Sequence, residues 1–312
     1  MTILKVEGLC KAYPEFALRD VSFSMESGSV MGFIGRNGAG KTTTLKSLLH
    51  LVHPDAGRIT LLGKDMDRDE QEIRRSIGFV SGGLSYYPRK RLCQITDATR
   101  RFYPTWDEKM YRSCLERFRL SEDKRTSELS EGMKVKYQLA LAMSHGAKLL
   151  ILDEPTSGLD PVSRDDLLDL FLTLAEEDGV SILFSTHITS DLEKCADHIT
   201  YIQNGRIFAS QTKKDFLAAY VLAEGTPEQL TPALEQALIG PRKHRESFAG
   251  LLEVFDPSRR KRLVRHRPGA ALSFSHTLLS LRAMTVLPKG RFPSGSIGHV
   301  CVILWACRSP RS

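Results

Sequence analysis

The chain has 312 residues, 41% of them hydrophobic and 26% charged, proportions of an ordinary globular protein that exclude collagen, a coiled coil and disorder along the full length. The best apolar run, Ile297 to Cys307, is too short to span a bilayer and contains His299, and Met1 to Leu9 lacks the basic-then-apolar order of a secretory leader, so a cytoplasmic chain is expected. The net charge of +7 is uneven: the last 58 residues, from Phe255, hold eleven Lys/Arg against the single acid Asp256, so that stretch carries +10 and the rest −3. The body therefore gives no electrostatic case for nucleic-acid binding. Six cysteines form no CxxC pair and no Cys/His cluster, which argues against a disulfide framework or a zinc site.

In chain order, Ile3 to Leu9 and Val21 to Met25 read as strands, and Ser27-Gly28 as a turn before the apolar strand Val30 to Ile34. That strand runs into Gly35-Arg36-Asn37-Gly38-Ala39-Gly40-Lys41-Thr42, followed by a helical pattern from Thr43 to Val52. A glycine loop between strand and helix, spaced GxxxxGK[ST], suits a polyphosphate. The loop can turn its amides inward, the helix start adds positive potential, Lys41 reaches the outer phosphates and Thr42 can ligate Mg²⁺.

Arg58 to Leu62 is a further strand, and Arg74 to Val80 leads to another. Residues from about 84 to 143 are mainly helical in pattern. Leu149 to Leu152 and Val180 to Ser185 are compact apolar runs joined by a helical stretch that Gly179 closes, which implies buried parallel strands with a crossover helix and an α/β domain. The first run ends in Asp153-Glu154. Two carboxylates at the C-terminal edge of a parallel sheet can hold a metal's water shell and polarise a water. Asn204-Gly205 between Ile199 to Ile202 and Arg206 to Ala209 marks a two-residue hairpin, and the domain is expected to end near Ser210.

Leu129-Ser130-Glu131-Gly132-Met133, standing between phosphate loop and acidic strand, resembles the signature of the nucleotide-binding subunits of ATP-binding cassette (ABC) transporters. The resemblance covers about residues 2 to 210, and Phe102 to Asp107 and Ser185 to Leu192 are most similar to the bacterial multidrug or bacitracin-type export ATPases. It implies a P-loop NTPase fold with a mainly parallel sheet, an N-terminal antiparallel β subdomain and an inserted helical subdomain at about 84–143. By the same resemblance Gly35, Asn37, Gly38, Ala39, Gly40, Lys41, Thr42 and Thr43 bind ATP, and Tyr13 stacks on adenine. Thr42 and Asp153 hold Mg²⁺, Glu154 is the general base and His187 the switch histidine. Ser130 and Gly132 meet the ATP of a partner subunit, and Asp160 lies in the loop that crosses between subunits.

The implied machine is a homodimer or heterodimer of ABC ATPases closing on ATP and driving a separate transmembrane permease, with export expected, from the inner face of the cell membrane. A soluble ABC ATPase and a slow nucleotide-dependent regulator are the competing readings. Two positions depart from the family: Ser81-Gly82-Gly83 stands where a glutamine is usual, and Glu131 replaces a glycine in the signature. The aromatics Tyr86, Tyr87, Phe102, Tyr103 and Trp106 fit either the core of the helical subdomain or a groove for a partner helix. Residues 211–254 are expected to form a helical extension, with helices at Asp215 to Ala223 and Pro227 to Ile239, and 255–312 a basic, disordered tail.

Overall fold

The buried apolar runs become adjacent parallel strands. The computed structural model describes residues 1–81, 87–243, 245–253 and 273–275. They divide into two compact units, the first spanning Met1–Thr212 and the second beginning at Lys213.

In the first unit, β1 (Thr2–Ala12) and β2 (Ala17–Glu26) form an antiparallel pair, and β3 (Val30–Ile34) is buried at every position. After β3 come α1 (Lys41–Leu48), β4 (Ala56–Leu61), the short β5 (Lys64–Asp65), α2 (Met66–Arg75) and β6 (Ile77–Ser81). The helical segment holds α3 (Leu92–Thr99), α4 (Glu108–Phe118) and α5 (Glu131–Ser144). Then follow β7 (Leu149–Asp153), α6 (Pro161–Glu176), β8 (Ser181–Thr186), α7 (Thr189–Cys195) and the hairpin β9 (His198–Gln203) and β10 (Arg206–Thr212).

Two sheets result. One is antiparallel, in the order β2-β1-β4-β5; the other is β10-β9-β3-β8-β7-β6, parallel except for the β9–β10 hairpin. Strands covered on both faces read as continuous apolar runs, as in β3, residues 149–152 of β7 and 182–184 of β8, rather than alternating. β2 faces a partner on one side only and alternates, burying Val21, Phe23 and Met25. Phe23 meets Phe33 of the large sheet at 5.3 Å between ring centroids, so one core of Leu4, Met25, Met31, Leu45, Ile151 and Leu183 ties the sheets together. The register places Ile34 opposite Thr186 and Leu152 opposite Phe184, so the strand ends that carry chemistry share one edge.

The helical segment has its own polar-centred core. Thr96 Oγ1 lies 2.7 Å from the Tyr111 hydroxyl and 2.9 Å from that of Tyr137, which donates to Leu92 O at 3.0 Å. Tyr103 stacks on His145 and Trp106 tilts against Tyr111, whereas Phe102 and Tyr87 are exposed; Tyr86 lies outside the described residues. None of the four described cysteines is in a disulfide.

The second unit differs from the helical extension that its sequence suggests. It contains α8 (Lys213–Ala219) and α9 (Pro232–Ala237), but more of its described residues lie in strands: β11 (Tyr220–Gly225), β12 (Ile239–Lys243), β13 (Phe248–Glu253) and β14 (Ser273–Ser275), antiparallel in the order β12-β13-β11-β14. The expected helix from Asp215 gives way at Tyr220, where an aromatic and a β-branched residue favour a strand. A helix from Pro227 to Ile239 would put Pro232 in its interior, where the ring removes a donor and clashes with the preceding turn. The helix instead starts there, with Thr231 capping Leu234 N at 3.2 Å. Ser273–Ser275, in the stretch expected to be disordered, pair with β11. The rest of 255–312 lies outside the described residues.

Candidate functional site: a phosphate loop facing two carboxylates and a histidine

The loop 35–40 leaves the end of β3 and turns directly into α1. Gly40 takes φ +114°, a conformation that side chains resist, and a Cβ there would stand 2.7 Å from Leu18 Cδ2 and 2.9 Å from Phe16 Cζ. No side chain caps α1, so its first amides remain to receive an anion. Arg36, Asn37, Gly38 and Thr42 are exposed, while Gly35, Ala39, Gly40 and Lys41 are buried and Thr43 is half-buried.

Lys41 is 5% exposed, and its ammonium donates to Gly35 O at 2.8 Å and Arg36 O at 3.4 Å. A buried cation demands a counter-charge, and Glu154 Oε1 supplies it at 3.1 Å. Glu154 Oε2 lies 3.1 Å from His187 Nδ1, so one carboxylate is clasped between lysine and histidine.

Two features aim that carboxylate. Glu154 has φ +49°, a left-handed turn that swings the residue out of line with β7, and its amide donates to Ser185 Oγ at 2.9 Å. Ser185 in turn donates to Asp153 Oδ1 at 2.7 Å, fixing the neighbouring carboxylate. The structure thus brings Lys41, Asp153, Glu154 and His187 to one sheet edge, beside the loop.

The other expected residues sit on their own elements of the first unit. Tyr13 is exposed in the turn closed by Tyr13 N to Phe16 O at 2.7 Å, with Lys11 Nζ 5.9 Å from its ring centroid. Ser130 is the exposed N-cap of α5, its hydroxyl accepting from Met133 N at 3.3 Å. Gly132 is buried close to Leu159 and Ser163. Glu131 accepts from Lys134 Nζ, one turn further into α5, at 2.6 Å, which answers what its carboxylate does in place of a glycine. Asp160 caps α6, accepting from Val162 N at 3.1 Å and Ser163 N at 3.0 Å, and hydrogen bonds from Ser163 hold its carboxyl below the usual range.

Residues 18–157 match the ABC transporter domain family. Bacitracin transport ATP-binding protein BcrA of Bacillus licheniformis is 33% identical over 209 residues, 66% of this chain and 68% of that protein. Nod factor export ATP-binding protein I of Rhizobium etli is 30% identical over 284 residues, 86% of this chain and 88% of that one. The chain belongs to the ABC transporter ATP-binding proteins. Among solved structures, an ATP-binding subunit of an ABC transporter is 30% identical with a TM-score of 0.61, covering 68% of this chain and 91% of that one. CbiO1 of Clostridium perfringens, described as part of the ABC transporter complex CbiONQ, has a TM-score of 0.60 at 29% identity, with 70% and 91% covered.

As an ABC ATPase, the protein has the P-loop NTPase fold its motifs imply. The departure at Gly82 and Gly83 lies outside the described residues. Sequence reasoning gave no role to Ser185, which couples Asp153 to Glu154; only the pairing of β7 with β8 brings it there, and that register is not written in either strand alone.

Proposed function

We propose that this ABC ATPase binds MgATP on loop 35–43 and closes on it with a second cassette, homologous or identical. It then hydrolyses the nucleotide to drive a separate transmembrane permease from the inner face of the membrane, in the direction of export. The observation that carries this reading is the Glu154 carboxylate held 3.1 Å from both Lys41 and His187 at the sheet edge, beside a loop shaped for phosphate. Among the described residues no helix is long and apolar enough to cross a membrane. The names of the relatives, bacitracin transport and Nod factor export, favour an exporter.

In this reading the terminal phosphate takes donors from Lys41 and the loop amides. Glu154 accepts a hydrogen bond from the attacking water, and His187 contacts the transferring phosphoryl group. Water oxygen bonds to the terminal phosphorus as the bond to the bridging oxygen breaks, releasing ADP and phosphate. Thr42 and Asp153 fit Mg²⁺: both are hard oxygen donors, one on the loop and one fixed by Ser185, and magnesium is held by one or two side chains plus phosphate oxygens and water. The metal would supply charge neutralisation across the phosphates. Tyr13 offers an exposed ring for adenine. Ser130 keeps its proton for a partner's phosphate, because towards Met133 N it acts as acceptor.

Glu154→Gln tests the reading. It should bind ATP with wild-type affinity and lose turnover by about 100-fold or more, the usual scale for removing a general base. Lys41→Ala should lose nucleotide binding in the same assay. Full turnover by Glu154→Gln, or undiminished ATP affinity in Lys41→Ala, contradicts it.

A further inference from the structure

Asp191, on the first turn of α7, is fully buried, yet its carboxylate is the meeting point of three segments of the first unit. Oδ2 accepts from Thr156 Oγ1 at 2.8 Å and from Thr186 Oγ1 at 2.9 Å. Oδ1 accepts from Arg164 Nε at 2.6 Å and pairs with Nη2 at 2.5 Å, while Nη2 also reaches Ser190 Oγ at 2.9 Å. Each partner adjoins a residue of the site. Thr156 lies two residues past Glu154. Thr186 precedes His187, and its hydroxyl accepts from Ile188 N at 3.0 Å, closing the backbone around that histidine. Arg164 is one turn into α6 from Asp160, and its amide donates to Asp160 O at 3.0 Å.

A buried charge is expensive unless paired and fully hydrogen-bonded, and an apolar cluster of the same size would hold these segments with less desolvation. What the ionic knot adds is direction: four donors converge on two oxygens and fix three loops in one arrangement.

We propose that Asp191 is a positioning residue for hydrolysis. Through Arg164 it ties the Asp160 loop to the backbone that presents Glu154 and His187, so a second subunit pressing on Asp160 sets the geometry of that pair. This rests on the reading of Glu154 and His187 as the hydrolytic pair. Asp191 is fully buried and acts through Thr156, Thr186 and Arg164.

The test measures ATP Kd, kcat and KM on the full chain carrying Asp191→Asn, Thr186→Val or Thr186→Ser. Asparagine keeps the shape but leaves Arg164 without its counter-charge; valine keeps the shape of Thr186 but removes its hydroxyl. Both should lower kcat by about 10- to 100-fold, the range for misplacing a reacting group through its supporting contacts, with ATP Kd within about threefold. Thr186→Ser, which restores the hydroxyl, should recover most of the rate. The Asp191→Asn/Thr186→Val double variant should be no slower than the slower single one, since both break one knot.

If Asp191→Asn does not fold, Thr186→Val and Thr186→Ser decide. A knot that only stabilises would lower the melting temperature and leave kcat per folded chain intact, and that result overturns the proposal. Turnover surviving in Glu154→Gln would instead sink the catalytic reading beneath it, so the two failures are told apart.

Discussion

Glu154 shows how one residue can be placed by forces its own position does not reveal. A non-glycine residue at φ +49° costs about 1 kcal/mol, and the amide bond to Ser185 Oγ together with the contacts to Lys41 and His187 offsets it. At the same scale, Ser130→Ala should remove an N-cap and, in the proposed function, the proton offered to a partner's phosphate. The cap is worth about 1 kcal/mol, so a small fall in melting temperature is expected beside a large fall in turnover. Comparable losses in both, with ATP-driven association intact, would leave Ser130 as a cap alone.

His145 makes a third residue-level case. It stacks on Tyr103 with ring centroids 4.0 Å apart, its Nδ1 lies 3.2 Å from Arg75 O, and burial holds its pKa below the ordinary 6.5. Above pH 6.5 the ring is neutral in both folded and unfolded chains. Below it the unfolded chain takes up a proton that the folded one refuses, so stability falls as pH drops from 6.5 toward the folded-state value. His145→Phe keeps a ring against Tyr103 and should flatten that part of the pH dependence in urea melts at pH 7.5 and 5.5. An unchanged slope would mean that other groups govern it.

At the scale of elements, the β9–β10 hairpin holds the phosphate loop from behind. Gly205 N donates to Ala39 O at 3.0 Å and Gly205 O accepts from Arg19 N at 2.8 Å. Its φ is +73°, and a Cβ would come within 1.9 Å of Ala17 O. Gly205→Ala should therefore cost about 1–3 kcal/mol in urea unfolding and weaken ATP binding along with stability, since the loop loses its backing. A variant of normal stability would show that the hairpin yields more easily than the close packing implies.

This hairpin, the phosphate loop and the acidic strand were all legible in the sequence, because each depends on residues adjacent in the chain. The second unit and Asp191 were not. Pro232 resets a helix within a pattern that otherwise reads as one, and β11–β14 pair across separations that no local periodicity encodes. The partners of Asp191 lie 35, 27 and 5 residues away, so only the folded sheet brings them to one carboxylate.

On the scale of the whole molecule, one ATPase unit presents a phosphate loop with its carboxylates on one set of elements and the Ser130 cap at the start of α5. Ser130 makes its contact with Met133 N, and a Cβ at Gly132 would stand 3.7 Å from Leu159 Cδ2 and Ser163 Cβ. In the function proposed above, the signature serves a nucleotide held by another copy or a related cassette, and the ATPase is shared between two chains. The direct measurement is the ATPase rate per chain as a function of chain concentration, for the wild type and for Ser130→Ala. The account predicts a rate per chain that climbs as chains associate and collapses in Ser130→Ala. A rate that is flat from the most dilute sample upward, and the same in Ser130→Ala, would contradict it.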